Sequence, residues 1–254
     1  MGMERVVNWP LQLVEGDIVL RPLRWRDGPA WREVRAANQE WLRPWEATNP
    51  DHSTSGPTFR QMVSRVSAEA RAGRQIPLAI EYLGDFVGQV NVSGIVWGSF
   101  RSGYVGYWVD YRVAGRGIMP TAVAMVTDYC FFVAGLHRLE INIRPENRAS
   151  LRVVEKLGYR PEGLRRRYLH IAGDWRDHST FSLTADEAPT GILPGWRQYL
   201  ADQRADELGR HVNGSWGGPA GGQQGSPGGV YLAEWGRQGG YGADGDGTLL
   251  GYRG

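Results

Sequence analysis

The chain predicts a mixed α/β fold, a mostly antiparallel central sheet flanked by helices, and three observations lead there. Short β-rich runs alternate with longer runs of helical period. Gly84-Asp85 sits between two of the β-rich runs and reads as a hairpin, because such turns need positive φ. Arg112-Val113-Ala114-Gly115-Arg116-Gly117-Ile118-Met119 separates a strand-like run, Tyr104 to Asp110, from a helix-like run, Ile118 to Val133.

The elements follow in order. Ile18 to Leu23 is a strand leading to Trp25-Arg26-Asp27. Asp27 stands at the N-cap of a helix reaching about Asn38, with Pro29 in its first turn. Phe59 to Ala72 is a second helix, ending near Gly73. Leu78 to Leu83 and Phe86 to Val92 are strands, Tyr104 to Tyr111 the next, and Arg138 to Arg144 a parallel strand after a crossover. Ala149 to Leu157 is a short helix. Tyr159 to Arg167, Tyr168 to Ile171 and Asp177 to Leu183 complete the sheet, the last two around a Gly173-Asp174 turn. Residues 189–212 form one amphipathic helix or linker carrying Trp196, Leu200 and Leu208. From 213 to 254, sixteen of 42 residues are glycine. That composition buries too little apolar surface to offset its ordering entropy, so this tail is expected to be disordered, and 1–188 to be the folded domain.

The strand–glycine–helix junction carries chemistry. A glycine turn points successive backbone N–H groups inward, and the unpaired N–H groups and dipole of the new helix add partial positive charge. Gly115 and Gly117 let a phosphate approach the backbone without meeting a Cβ, and Pro120 lacks only an N–H that the first turn leaves unpaired. The Walker pattern is absent, and the Rossmann pattern lacks its further glycine where Met119 and Pro120 stand. Two glycines alone fit an ordinary tight turn equally well.

Composition narrows the setting. One cysteine, Cys130, excludes a disulfide framework and points to a reducing cytoplasm. Beside Phe131 and Phe132 it reads as a buried small hydrophobe, not a nucleophile. Met1 to Pro10 lacks the apolar core of a leader, and no apolar run approaches the ~18 residues of a membrane span. A net charge of +2 gives no reason to expect nucleic acid, and no metal is expected. The basic residues are one lysine, Lys156, and 28 arginines, which points to GC-rich coding.

Downstream lie Asn147-Arg148-Ala149-Ser150 and Glu155-Lys156-Leu157-Gly158-Tyr159. With the glycine turn they resemble the GNAT superfamily of acyl-CoA-dependent N-acetyltransferases, whose R/Q-x-x-G-x-G/A cradles the coenzyme pyrophosphate. Leu20-Arg21-Pro22-Leu23, Leu42-Arg43-Pro44-Trp45 and Gly106-Tyr107-Trp108-Val109-Asp110 look like the RimJ/RimL type, which acetylates the N-terminal amines of ribosomal proteins. The resemblance covers roughly residues 17 to 185. It implies acetyl-CoA as cosubstrate and a site at Arg112, Gly115, Arg116, Gly117, Ile118 and Met119. It also implies that Asn147 touches the pantetheine arm and that the Val109 backbone N–H meets the acetyl oxygen.

Amide formation needs a neutral amine, a stabilised oxyanion and a proton for the departing thiolate. Strand alternation places Leu139, Ile141 and Ile143 on one face and Glu140, Asn142 and Arg144 on the other. Glu162, in a Glu-Gly resembling the L-E-G of the RimL type, is the favoured base, with Glu140 second; either requires a raised pKa or a water relay. The general-acid tyrosine of many GNATs is here Val154, leaving Ser150, Tyr107 or solvent. His137 and His170 read as structural. Trp41, Trp45, Trp97 and Trp108 either line a groove for a peptide or fill the core.

Three readings of function remain at this stage. The first is acetylation of a protein N-terminal α-amine, which predicts aromatic walls and backbone contacts. The second is acetylation of a small amine such as an antibiotic or polyamine, which predicts an acidic cleft. The third is a non-catalytic acyl-CoA-binding module, which predicts coenzyme binding without turnover. Oligomeric assembly stays open under all three.

Overall fold

The computed structural model describes residues 7–51 and 57–213; from residue 214 the tail expected to be disordered lies outside them. Among the described residues eight strands form one sheet in the order β1-β2-β3-β4-β5-β6-β8-β7. They are β1 (Leu13–Glu15), β2 (Ile18–Pro22), β3 (Ile76–Tyr82), β4 (Asp85–Val96), β5 (Ser102–Val109), β6 (Arg138–Ile143), β7 (Arg160–Ile171) and β8 (Asp174–Thr184). Every neighbouring pair is antiparallel except β5–β6, because the chain returns through a helix between them.

One face of the sheet carries the long helix α4 (Ile118–Tyr129), flanked by α5 (Arg148–Lys156) and α6 (Leu193–Asn213). Leu139, Ile141 and Ile143 point into this layer and are fully buried, as strand alternation requires. The opposite face is covered by α1 (Gly28–Ala37), α2 (Gln39–Leu42) and α3 (Phe59–Arg71) over Trp108, Phe86, Ala79 and Leu42. Trp108 is therefore a core residue as well as a wall. α3 starts with a reciprocal cap, Thr58 accepting from Gln61 N while Gln61 accepts from Thr58 N.

Four local expectations are corrected. The β3–β4 turn is Leu83-Gly84 (φ +54° and +89°), and Asp85 is already the first residue of β4. Arg160 to Ile171 is one strand, not two, because the break before Tyr168 is a bulge with Arg167 at φ +49°. Its hairpin partner β8 likewise begins at Asp174, three residues before the expected Asp177. Asp27 stands at the N-cap of α1 but its side chain makes no cap bond: its oxygens accept from Arg21 at 2.7 and 3.0 Å and from Arg24 N at 2.7 Å, since a buried guanidinium takes the carboxylate first.

α6 is docked onto the domain. Asp128 on α4 accepts from Ile192 N at 2.8 Å and Leu193 N at 3.1 Å, and Trp196 is buried with its indole N–H donating to Thr121 Oγ1 at 2.8 Å. A Cβ on Gly191 would come within 2.5 Å of Asp128 Oδ2, so this entry turn needs glycine.

Candidate active site

The parallel pair at the middle of the sheet opens into a split. β5 and β6 pair only over Ser102–Tyr104 and Arg138–Glu140; β5 then continues to Val109 and β6 to Ile143 without pairing. Asp110 N donates to Val87 O at 2.8 Å, which makes Val109 and Gly88 a non-hydrogen-bonded pair of the antiparallel ladder. The Val109 N–H consequently points away from β4, into the split. Gly88 permits this close approach, for a Cβ there would lie 2.2 Å from Trp108 O.

The glycine turn closes the top of the split. Gly115 and Gly117 both hold positive φ, +82° and +80°, and Gly117 is the N-cap of α4. A Cβ on Gly115 would meet no atom within 4 Å, so this side of the turn is open. The N–H groups of Ile118 and Met119 belong to the first turn of α4 and have no intrahelical acceptor. Together these elements line an open cleft. Its walls include Val109, Gly115, Gly117, Ile118 and Met119 from the turn side and Ser150 from α5.

Two of the expected contact residues also make bonds within the chain. The Arg112 guanidinium turns back to Asp110, Nε to Oδ2 at 2.7 Å, and Asp110 also accepts from Arg112 N at 3.0 Å. Burial pushes the Asp110 carboxyl up, but these bonds and one from Asn38 outweigh it and hold it below its ordinary value. Arg112 braces the turn, and the exposed Arg116 carries its positive charge outward. Asn147 is buried as the N-cap of α5, its side chain accepting from Ser150 N at 3.1 Å. Sequence reading missed Arg152, Val153 and Lys156 on the cleft wall; three- and four-residue spacing from Ala149 would have found that helix face.

The carboxylates lie elsewhere. Tyr104, opposite Glu140, precedes Val109 by five residues, roughly 16 Å along the strand. Glu140 is buried between Arg138 (3.1 Å) and Arg165 (2.6 Å). Glu162 pairs with Arg138 and Arg160 and accepts from Ser182 Oγ at 2.7 Å. The hydrogen bonds from Arg138 and then Ser182 pull the Glu162 carboxyl down to about 2. The raised pKa expected of Glu162 as a base is thus reversed, because guanidinium neighbours outweigh burial. Burial raises the Tyr107 hydroxyl and the Cys130 thiol above their ordinary ranges, so both keep their protons; Tyr107 reaches Ser150 O at 3.5 Å. His170 is tied to Thr48, Oγ1 to Nδ1 at 2.8 Å, and His137 faces Asp186 on the surface.

A split parallel pair, an inward Val109 N–H and a glycine turn opening α4 together match one family: the acetyltransferase (GNAT) domain model covers residues 17–160. This chain belongs to the GNAT family. It is 38% identical to Mycobacterium smegmatis RimJ, solved in complex with CoA-disulfide, over 77% of this chain and 96% of that one, at TM-score 0.70. A ribosomal-protein-S5-alanine acetyltransferase from Vibrio fischeri is 27% identical over 70% of this chain and 98% of that one, at TM-score 0.64. The [Ribosomal protein uS5]-alanine N-acetyltransferase of Escherichia coli is 28% identical over 190 residues, 71% of this chain and 94% of that protein. This GNAT chain is an acyl-CoA-dependent N-acetyltransferase with acetyl-CoA as cosubstrate. The cleft fits that ligand: a Cβ-free turn and a helix N-terminus for the pyrophosphate, and an inward N–H for the acyl carbonyl.

Proposed function

We propose that this enzyme acetylates the α-amine of a protein N-terminus, as the names of its ribosomal-protein relatives describe for them. The observation that carries the reading is the character of the face opposite α4. Trp31, Trp108, Gln89, Asn91 and Asn142 form a largely buried aromatic and amide layer there, while Glu140 and Glu162 are each neutralised by arginines. A polycationic antibiotic needs net negative charge at this point, and a peptide backbone needs amides and flat walls. Among the described residues no helix is long and apolar enough to cross a membrane, and a cytoplasmic setting accords with the reading.

When bound, acetyl-CoA supplies the activated acetyl group. Val109 N–H donates to the carbonyl oxygen on which charge grows, and this donor is fixed by the β4–β5 ladder before substrate arrives. Neither carboxylate is poised as a direct base. An α-amine has an ordinary pKa of about 7.7–8.0, so a useful fraction arrives neutral near pH 8, whereas a lysine side chain at about 10.4 does not. Tyr107, with its pKa raised, acts as a hydrogen-bond donor in the cleft beside Ser150; full proton transfer to a thiolate of ordinary pKa ~8.5 is uphill, so solvent delivers that proton.

The test is thiol release from acetyl-CoA against peptides beginning with Ala or Ser, polyamines and aminoglycosides. Turnover on a subset of peptides is expected, with kcat/KM rising through the pKa of each peptide's own amine. Turnover confined to small amines refutes the reading.

A further inference from the structure

β4 carries two amides on the same face, Gln89 and Asn91, alternating with Val90 and Val92. They are 2% and 6% exposed. Gln89 Oε1 accepts from Trp31 Nε1 at 3.0 Å and from Trp108 Nε1 at 3.2 Å. An indole N–H only donates, so these two bonds fix which end of the amide is oxygen. Gln89 Nε2 is thereby turned away from the indoles, buried and without a partner among the described residues. Asn91 Oδ1, one pleat further along, is also buried and unpartnered.

Such groups are expensive unless something binds them. Their position says what. Gln89 lies opposite Trp108, the residue before Val109, and Asn91 lies opposite Gly106, which offers no side chain across the pair. The Arg35 guanidinium, ion-paired with Glu46 through Nη2, stands 5.4 Å from the Trp108 ring, and its Nη1, like Trp41 Nε1, is a further buried donor without a hydrogen-bond partner among the described residues. Gln89 Nε2, Arg35 Nη1 and Trp41 Nε1 are donors, against the acceptors Asn91 Oδ1 and Glu46 Oε1, so a ligand that satisfies the donors brings oxygens. Resting on the reading of the acceptor as a peptide N-terminus, we propose that Gln89 Nε2 donates to the carbonyl oxygen of the acceptor's first peptide bond. Asn91 forms the polar floor beside it. In a peptide α-amine that carbonyl is two bonds from the nucleophilic nitrogen, so an amine placed at the Val109 end of the split sets its carbonyl beside Gln89. Gln89 is therefore a specificity-determining residue that separates α-amines from amines with no neighbouring carbonyl.

The experiment compares an alanyl peptide with its analogue in which a trans-alkene replaces the first peptide bond, rates being normalised to the neutral amine. Wild-type enzyme is expected to favour the amide tens-fold in kcat/KM. Gln89→Glu keeps an oxygen for the two indoles but loses the amide donor, and Gln89→Met loses both. In each the preference falls to within about threefold while coenzyme A affinity, measured by calorimetry, is kept. Equal use of amide and alkene by the wild type overturns the inference without recourse to any variant. So does a tens-fold preference that survives in both variants. Wild-type turnover of peptides with either result leaves the peptide reading standing; wild-type turnover of non-peptide amines alone overturns both.

Discussion

Replacing Glu162 by glutamine separates a base from a brace. The Glu162 carboxyl is lowered from its ordinary 4.5 to about 2 by the hydrogen bonds of Arg138 and Ser182, with Arg160 alongside. At 1.36 kcal/mol per pH unit that depression sets a ceiling of ~3.4 kcal/mol on what the ionised carboxyl contributes to folding. The side chain is 26% exposed, so solvent screens the pairing and about 1–2 kcal/mol is the figure to expect. The sign follows from the direction of the change. A carboxyl lowered in the folded state adds stability in full above pH ~5, and that stability drains away as pH falls toward 2. Glu162→Gln is therefore expected to lower Tm at pH 7 by roughly 3–6 °C and to leave a Tm difference that shrinks on acidification. Acetylation by the folded variant should stay within about threefold of wild type, because Glu162 sits at the closed end of the split and, with its carboxyl held at about 2, is too weak a base to take the amine's proton. Scanning calorimetry at several pH values, with thiol release measured well below Tm, reads both. A hundredfold loss of kcat with unchanged Tm would sink the reasoning and restore Glu162 as the base.

Three further outcomes are expected. Gly117→Ala forces a side chain into φ +80°, which costs about 1–2 kcal/mol, although the new Cβ meets Leu200 and Trp196 only at 3.5 Å. Coenzyme A affinity should weaken about tenfold with a modest drop in Tm, and unchanged affinity by calorimetry would contradict the cradle. Trp196→Ala removes a buried indole and the Thr121 hydrogen bond, a loss of roughly 3–5 kcal/mol that should undock α6 and soften the turn at Gly117; hydrogen exchange confined to the tail would speak against it. Cys130, buried with its thiol raised by burial, should resist a maleimide in the native protein and react only on unfolding.

Much of the coenzyme side could be read from the sequence, because it depends on local backbone. Gly115, Gly117 and the periodic helix after them specify a strand–turn–helix within one short segment, and positive φ at two glycines follows from the turn itself. The buried face of β6 was equally readable, since Leu139, Ile141 and Ile143 alternate with polar residues. Residue type alone did not reveal the partners of Asp27, Arg112 and Glu162. Each is charged, and a charge takes the partner that is nearest in space, which for Glu162 is Arg138, 24 positions away. The Arg138 guanidinium reversed the expected direction of the Glu162 pKa, and no spacing rule places it there. The split between β5 and β6, the aim of the Val109 N–H and the joining of Trp31, Trp108 and Gln89 arise from pairing between distant strands and a helix laid over them. The sequence by itself determined where a strand–glycine turn–helix forms and which strand faces are apolar, because those are set by φ and by period. Tertiary structure decided which polar groups are neutralised and which are left waiting for a substrate, because that depends on what packs against them.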